Sequence, residues 1–250
     1  VAMTITTSSW ERTLEIEGLS GPDQIVALAK QSNPLGTFSF PIDRPEVLEV
    51  DANGNKQWEQ TYGGSGADVL IVLRQTSDGG YILGGRSAGS GGNKSASAFG
   101  DNDYWVVKLN ASGAKEWDRA FGGDGKDDLT ALQPTSDGGY LLGGYTRSGP
   151  SGNKIASNFG AYDFWVVKID SSGNMQWDAA YGGSQDDLLL ALEQTSDGGY
   201  VLAGVSASNP GTSGNKITGN SGFGDFWIVK VDANGAKQWE ADYGGSASDW

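Results

Sequence analysis

The chain has 250 residues, with 17 basic against 31 acidic side chains, a formal net charge of −14, and neither His nor Cys. Without Cys there is no disulfide framework and no thiolate metal site. Without His the commonest general base and transition-metal ligand are missing. So acidic a chain is a poor partner for nucleic acid or an anionic membrane, but it suits hard cations that take oxygen ligands.

In chain order, residues 4–14 read as the last strand of some preceding unit, because Trp10-Glu11-Arg12-Thr13 echoes Trp58-Glu59-Gln60-Thr61. Residues 23–62 read as a worn unit. Asp23–Gln31 echoes Asp68–Gln75 as a first strand, Gly36-Thr37-Phe38 stands where Gly80-Tyr81 stands later, and Glu46–Asp51 followed by Trp58 supplies the last two strands. The longest aliphatic run, Val69–Leu73, is far too short to cross a bilayer, so no membrane insertion is expected. No signal peptide is visible, and the chain reads as a mature secreted protein, with a cytosolic protein as the alternative.

Residues 66–121 form the first regular unit. A strand over Asp68–Gln75 ends in Ser77-Asp78-Gly79-Gly80, residue types that supply a tight hairpin turn. A second strand begins at Tyr81, a Ser/Gly/Asn-rich loop spans Arg86–Asn102, and a third strand covers Asp103–Asn110. Both faces of that strand are apolar apart from Lys108, which implies cover on two sides. The turn Ala111-Ser112-Gly113 leads to a fourth strand over Ala114–Phe121. The same order recurs in 125–181 and 185–243, with Thr76, Thr135 and Thr195 of TSDGGY spaced 59 and 60 residues apart. Ser246–Trp250 opens one more unit. Four short strands per unit with stacked units predict an all-β chain, a β-propeller of four-stranded blades, incomplete or completed by a partner. The expected partners are other copies of the chain or further repeats.

The series Gly-Gly-x-x-x-Asp, Asp-Gly-Gly-Tyr, Asp-aromatic-Trp-Val-Val-Lys, Trp and Tyr-Gly-Gly resembles the tandem propeller repeats of large secreted and cell-surface bacterial proteins. Cargo of the type IX secretion system of Bacteroidota is the nearest of these, and the repeats are also similar to the bacterial SBBP-type seven-bladed propeller repeats. The resemblance covers 46–250 well and 1–45 poorly. It implies an extracellular or cell-surface location and transfers no catalytic residues. TSDGGY is also similar to the Asp-box hairpin of sialidases, which implies that Asp78, Asp137 and Asp197 brace turns.

Candidate sites follow from residue type. The long loops carry Asn93-Lys94, Asn153-Lys154 and Asn215-Lys216 on the face where propellers meet partners, giving a candidate surface for glycan or a surface protein. The alternative is that Asn and Asp brace the loops through backbone hydrogen bonds. Asp127 with Asp128 and Asp186 with Asp187 are the candidate calcium ligands, since adjacent carboxylates can offer several oxygens. No other cofactor is expected. Trp105, Trp165 and Trp227 read as core between blades, with sugar stacking as the alternative. Residues present in every unit build scaffold, whereas catalysis normally needs something unique. The expected function is therefore a non-enzymatic structural or adhesive extracellular module. The alternatives are a filament subunit assembled by strand complementation, and a lectin or carbohydrate-active enzyme using the long-loop face.

Overall fold

Period-two alternation and Gly-rich turns dictate strands, and in the computed structural model every regular element among the described residues is a β-strand. The structure describes residues 2–7, 10–15, 24–29, 46–51, 55–211 and 213–249. β1 (Ala2–Thr7) and β2 (Trp10–Glu15) pair antiparallel. β3 (Gln24–Ala29), β4 (Glu46–Asp51) and β5 (Lys56–Thr61) form a three-stranded sheet.

Three four-stranded antiparallel meanders follow. The first unit is β6 (Asp68–Gln75), β7 (Tyr81–Ser87), β8 (Asp103–Leu109) and β9 (Lys115–Phe121). The second is β10 (Asp127–Pro134), β11 (Tyr140–Thr146), β12 (Asp163–Ile169) and β13 (Met175–Tyr181). The third is β14 (Asp187–Gln194), β15 (Tyr200–Ser206), β16 (Asp225–Val231) and β17 (Lys237–Tyr243). The fold is all-β, a row of propeller-like blades in which no sheet closes on itself, as in an incomplete propeller.

Two details at the N-terminal end differ from the sequence reading. Where one strand is expected over 4–14, two strands pair, and the small polar Ser8 and Ser9 separate them in the sequence. β3 runs antiparallel beside β4, the place held by a second strand in a regular unit, although its sequence echoes a first strand. Its apolar run is strand-forming in either place, and only pairing decides which. The Gly36-Thr37-Phe38 match lies outside the described residues.

The units stack because each third strand is apolar on both faces. In β12, Trp165, Val167 and Ile169 join Tyr104, Val106 and Leu142 in the core shared with the first unit. The alternate residues Phe164 and Val166 join Leu189, Trp227 and Val229 in the core shared with the third. Trp105, Val107 and Leu109 face Val47 and Tyr62 in the same way. Each fully buried large side chain contributes roughly 1.5–3 kcal/mol, so the seams between units are where stability concentrates. β10 packs on β6, β7 and β8, and β14 packs on β10, β11 and β12.

Candidate functional site

Strand direction alternates within a unit, so the DGG turns and the third-to-fourth turns lie at one end. The long loops and the Gly-Gly links between units lie at the other. At the DGG end, the Thr135 hydroxyl and the Gly139 amide donate to Asp137 at 2.6 and 3.0 Å, and Lys168 Nζ reaches its carboxylate at 2.9 Å. Gly138 has φ 82°, which an L side chain rarely adopts. Asp78 and Asp197 make the same bonds with Lys108 and Lys230. Burial raises the Asp137 carboxyl, but the bonds from Thr135 and Lys168 outweigh it and bring the group down to about 2. Thr195, Gly199 and Lys230 hold Asp197 at about 2, and Lys108 holds Asp78 below the ordinary carboxylate range. These turns are saturated with internal partners.

At the other end, the Asn-Lys pairs clasp the preceding unit. Asn153 Oδ1 accepts from Gly122 N at 2.9 Å and its Nδ2 donates to Ala120 O at 2.9 Å. Asn93 grips Gly63 and Thr61, and Asn215 grips Gly182 and Ala180, by the same two bonds. Lys94, Lys154 and Lys216 are buried. Their ammonium groups sit 5.9, 5.6 and 5.4 Å from the ring centroids of the fully buried Trp105, Trp165 and Trp227. Lys94 donates to Ser87 Oγ at 2.7 Å, Lys154 to Ala156 O, and Lys216 to Asp242 at 2.8 Å. Burial lowers the pKa of Lys94 and Lys154. The six residues share one face, with their polar ends engaged inside loops and seams.

Two of these loops also present a large apolar side chain to solvent. Asp178 accepts from the Ile155 amide at 3.0 Å and Glu240 from the Ile217 amide at 2.6 Å, while Ile155 is 70 % and Ile217 is 73 % exposed. Phe223 is exposed nearby in the third loop. Sequence reasoning passed over these residues. The available signal was a large apolar residue directly after Asn-Lys in a Ser/Gly/Asn-rich loop, and the first unit has Ser95 there.

The paired acidic residues diverge. Asp127 accepts from Thr146 Oγ1, from Ser148 Oγ at 2.9 Å and from Gly123 N at 2.8 Å, whereas Asp128 faces Arg86 at 3.2 Å. Asp187 is held by Ser206, Ser208 and Gly183, while Asp186 accepts from Tyr162 N at 3.2 Å. Among the described residues, no group of three or more acidic side chains converges as a metal site. A different pairing emerges across the seams. Asp103 and Asp127 both lie against Gly122, and Asp163 and Asp187 both lie against Gly182. Oδ1 of Asp103 and of Asp163 is buried without a hydrogen bond. Burial, reinforced by the facing carboxylate, pushes Asp103 up to about 6 and Asp163 up to about 7.

No family model and no curated protein matches the chain. Among solved structures it is similar to a protein of unknown function from Bacteroides caccae. The identity is 13 %, the match covers 96 % of this chain and 89 % of that one, and the TM-score is 0.33. A likeness at that level says nothing about activity. The propeller-like repeat stands on the three four-stranded sheets of the chain itself.

Proposed function

We propose that the chain is a non-enzymatic structural and adhesive module of a secreted or cell-surface bacterial protein. The repeated polar residues hold one unit to the next, which suits a scaffold. The observation that carries the adhesive part is the pair Ile155 and Ile217, whose backbones are pinned by Asp178 and Glu240 while their side chains face solvent on one loop face. What supports the reading is that a large apolar side chain stands at the same place on tied-down loops of two units, where loop residues commonly meet partners. The partner is a protein or glycan surface, met through these loops. Two measurements test this. Antibody to the chain should label intact cells of its source, and labelling only after lysis overturns the location. Cells displaying an Ile155→Ser, Ile217→Ser variant should adhere several-fold less to a mucin-coated surface, and unchanged adherence overturns the role of the loops.

A further inference from the structure

We infer that the outer face of the third unit is a docking surface for a further unit of the same repeat, joined in cis through Asp249. The inference rests on reading the chain as a structural repeat array. Three kinds of contact recur across the inner seams, the first at all three and the other two at two seams each. The fourth-strand Trp meets the next unit's DGG tyrosine, with centroids 6.0 Å apart for Trp58–Tyr81, 6.3 Å for Trp117–Tyr140 and 6.2 Å for Trp177–Tyr200. The third-strand aromatic meets the next unit's buried Trp, at 4.6 Å for Tyr104–Trp165 and 4.8 Å for Phe164–Trp227. The hydroxyl of the closing Tyr donates to the next unit's turn Gly, from Tyr62 to Gly113 O at 2.6 Å and from Tyr181 to Gly235 O at 2.5 Å.

The third unit displays each of these groups uncovered: Trp239, Phe226 and Tyr243 are all exposed. The lead-in is already set. Gly245 N donates to Asp249 at 2.6 Å and Asp249 N to Gly224 O at 2.8 Å. Gly123 and Gly183 donate to Asp127 and Asp187 in the same way, and the amides of those aspartates donate to Asn102 O and Tyr162 O. One feature restricts the occupant. A Cβ on Gly143 would meet Leu192 at 2.6 Å and Leu189 at 2.9 Å, and the residue at that place in the third unit is Ala203. An incoming first strand that carries the same leucine pair therefore needs a shift to accommodate the methyl, which Ala203→Gly removes.

The test extends the chain after Asp249 with residues 188–245, so that Asp249 takes the part of Asp187. Trp239 is followed by 19F NMR of 5-fluorotryptophan protein, assigned with Trp239→Phe. The appended unit should fold, the Trp239 resonance should lose its H2O/D2O shift, and the thermal midpoint should rise, more so in Ala203→Gly. The third unit folds with its outer face uncovered, so the appended copy can do the same. A folded extension with Trp239 still solvent-shifted overturns the proposal, as does an extension that stays unfolded by circular dichroism. Burial of Trp239 in the unextended chain on raising its concentration would make a second copy the occupant and also overturn it. Cell labelling and adherence are read separately, so failure of the structural and adhesive reading would leave this result standing.

Discussion

The second and third units share their motifs and their strand register, yet matched residues live in different environments. Phe164 is 0 % exposed and its counterpart Phe226 is 40 % exposed, while Tyr181 is 2 % exposed and Tyr243 is 60 %. The second unit has neighbours on both faces, whereas among the described residues the third meets one. A unit's own residues therefore fix which faces are apolar, and its neighbours fix whether that surface leaves water. The sharpest way to break this comparison is a matched truncation. Phe164→Ala should cost about 3–5 kcal/mol, the range for a buried aromatic. Phe226→Ala should cost about 1 kcal/mol or less, near the ordinary surface range. Urea unfolding of both variants checks it, and equal losses would mean that the outer face is covered in solution.

The next effect separates seam from unit. Asn153→Ala removes two bonds at once and strands the amide of Gly122 and the carbonyl of Ala120. Leaving buried polar groups unpaired costs about 1–3 kcal/mol. Because the bonds cross between units, hydrogen exchange should accelerate on both sides of the seam, at β13 and at the Gly122–Gly123 link. Faster exchange confined to the loop would make Asn153 a local brace only.

The pH dependence distinguishes the seam carboxyls from carboxyls held by lysine and hydroxyl groups. Asp103 and Asp163 have folded pKa values raised to about 6 and about 7, so their contribution is complete below about pH 4 and is lost as pH rises through 6–7. Asp118 and Asp137 behave oppositely. Burial raises both, but hydrogen bonds, from Lys115 and Ser95 to Asp118 and from Thr135 and Lys168 to Asp137, bring them to about 2. Their contribution is present above about pH 4 and is lost as pH falls through 2. Stability should peak in mildly acidic solution. Asp163→Asn keeps an acceptor for the Phe159 amide and removes a charge that faces Asp187. It should flatten the alkaline limb and add about 1 kcal/mol at pH 8. A midpoint that rises steadily from pH 4 to pH 8 in the parent protein would remove the carboxyl pair as its cause.

Much of the fold is legible in the sequence because each strand is bounded by turn residues and the pattern is written three times. The order of strands within the three regular units follows from TSDGGY and the aromatic-Trp-Val/Ile-Val-Lys run. The seam chemistry is less legible. Asn153 reads as a loop residue, and nothing local says that its amide binds the preceding unit across 31 positions. Asp103 and Asp127 are each visible as strand-start residues, but their pairing requires two strands of adjacent units to be brought side by side. Adjacent letters misled in the opposite direction, because neighbours on a strand point to opposite faces and so Asp127 and Asp128 meet different partners. Ile155 and Ile217 could be seen only as anomalies of composition, since exposure depends on how the loop is tied down.

The smallest expected effect concerns one methylene. In the first two units the buried Trp donates its indole N–H to an aspartate, from Trp105 to Asp118 at 3.2 Å and from Trp165 to Asp178 at 3.1 Å. The third unit has Glu240 in that place, and Trp227 Nε1 is buried without a partner. Glu240 spends its carboxylate on the amides of Ile217 and Thr218 and on Lys237, while Lys216 turns to Asp242. In the second unit Asp178 serves the amides of Ile155 and Ala156 and the indole together, so the shorter side chain does not have to give up the loop. Glu240→Asp should therefore give Trp227 its missing acceptor and stabilise the chain by about 0.5–1.5 kcal/mol, the net worth of one hydrogen bond. The indole N–H of Trp227, followed by 15N NMR, should move downfield and exchange more slowly. An unchanged resonance together with a lower unfolding midpoint would mean that the extra methylene is needed to reach the longer third loop.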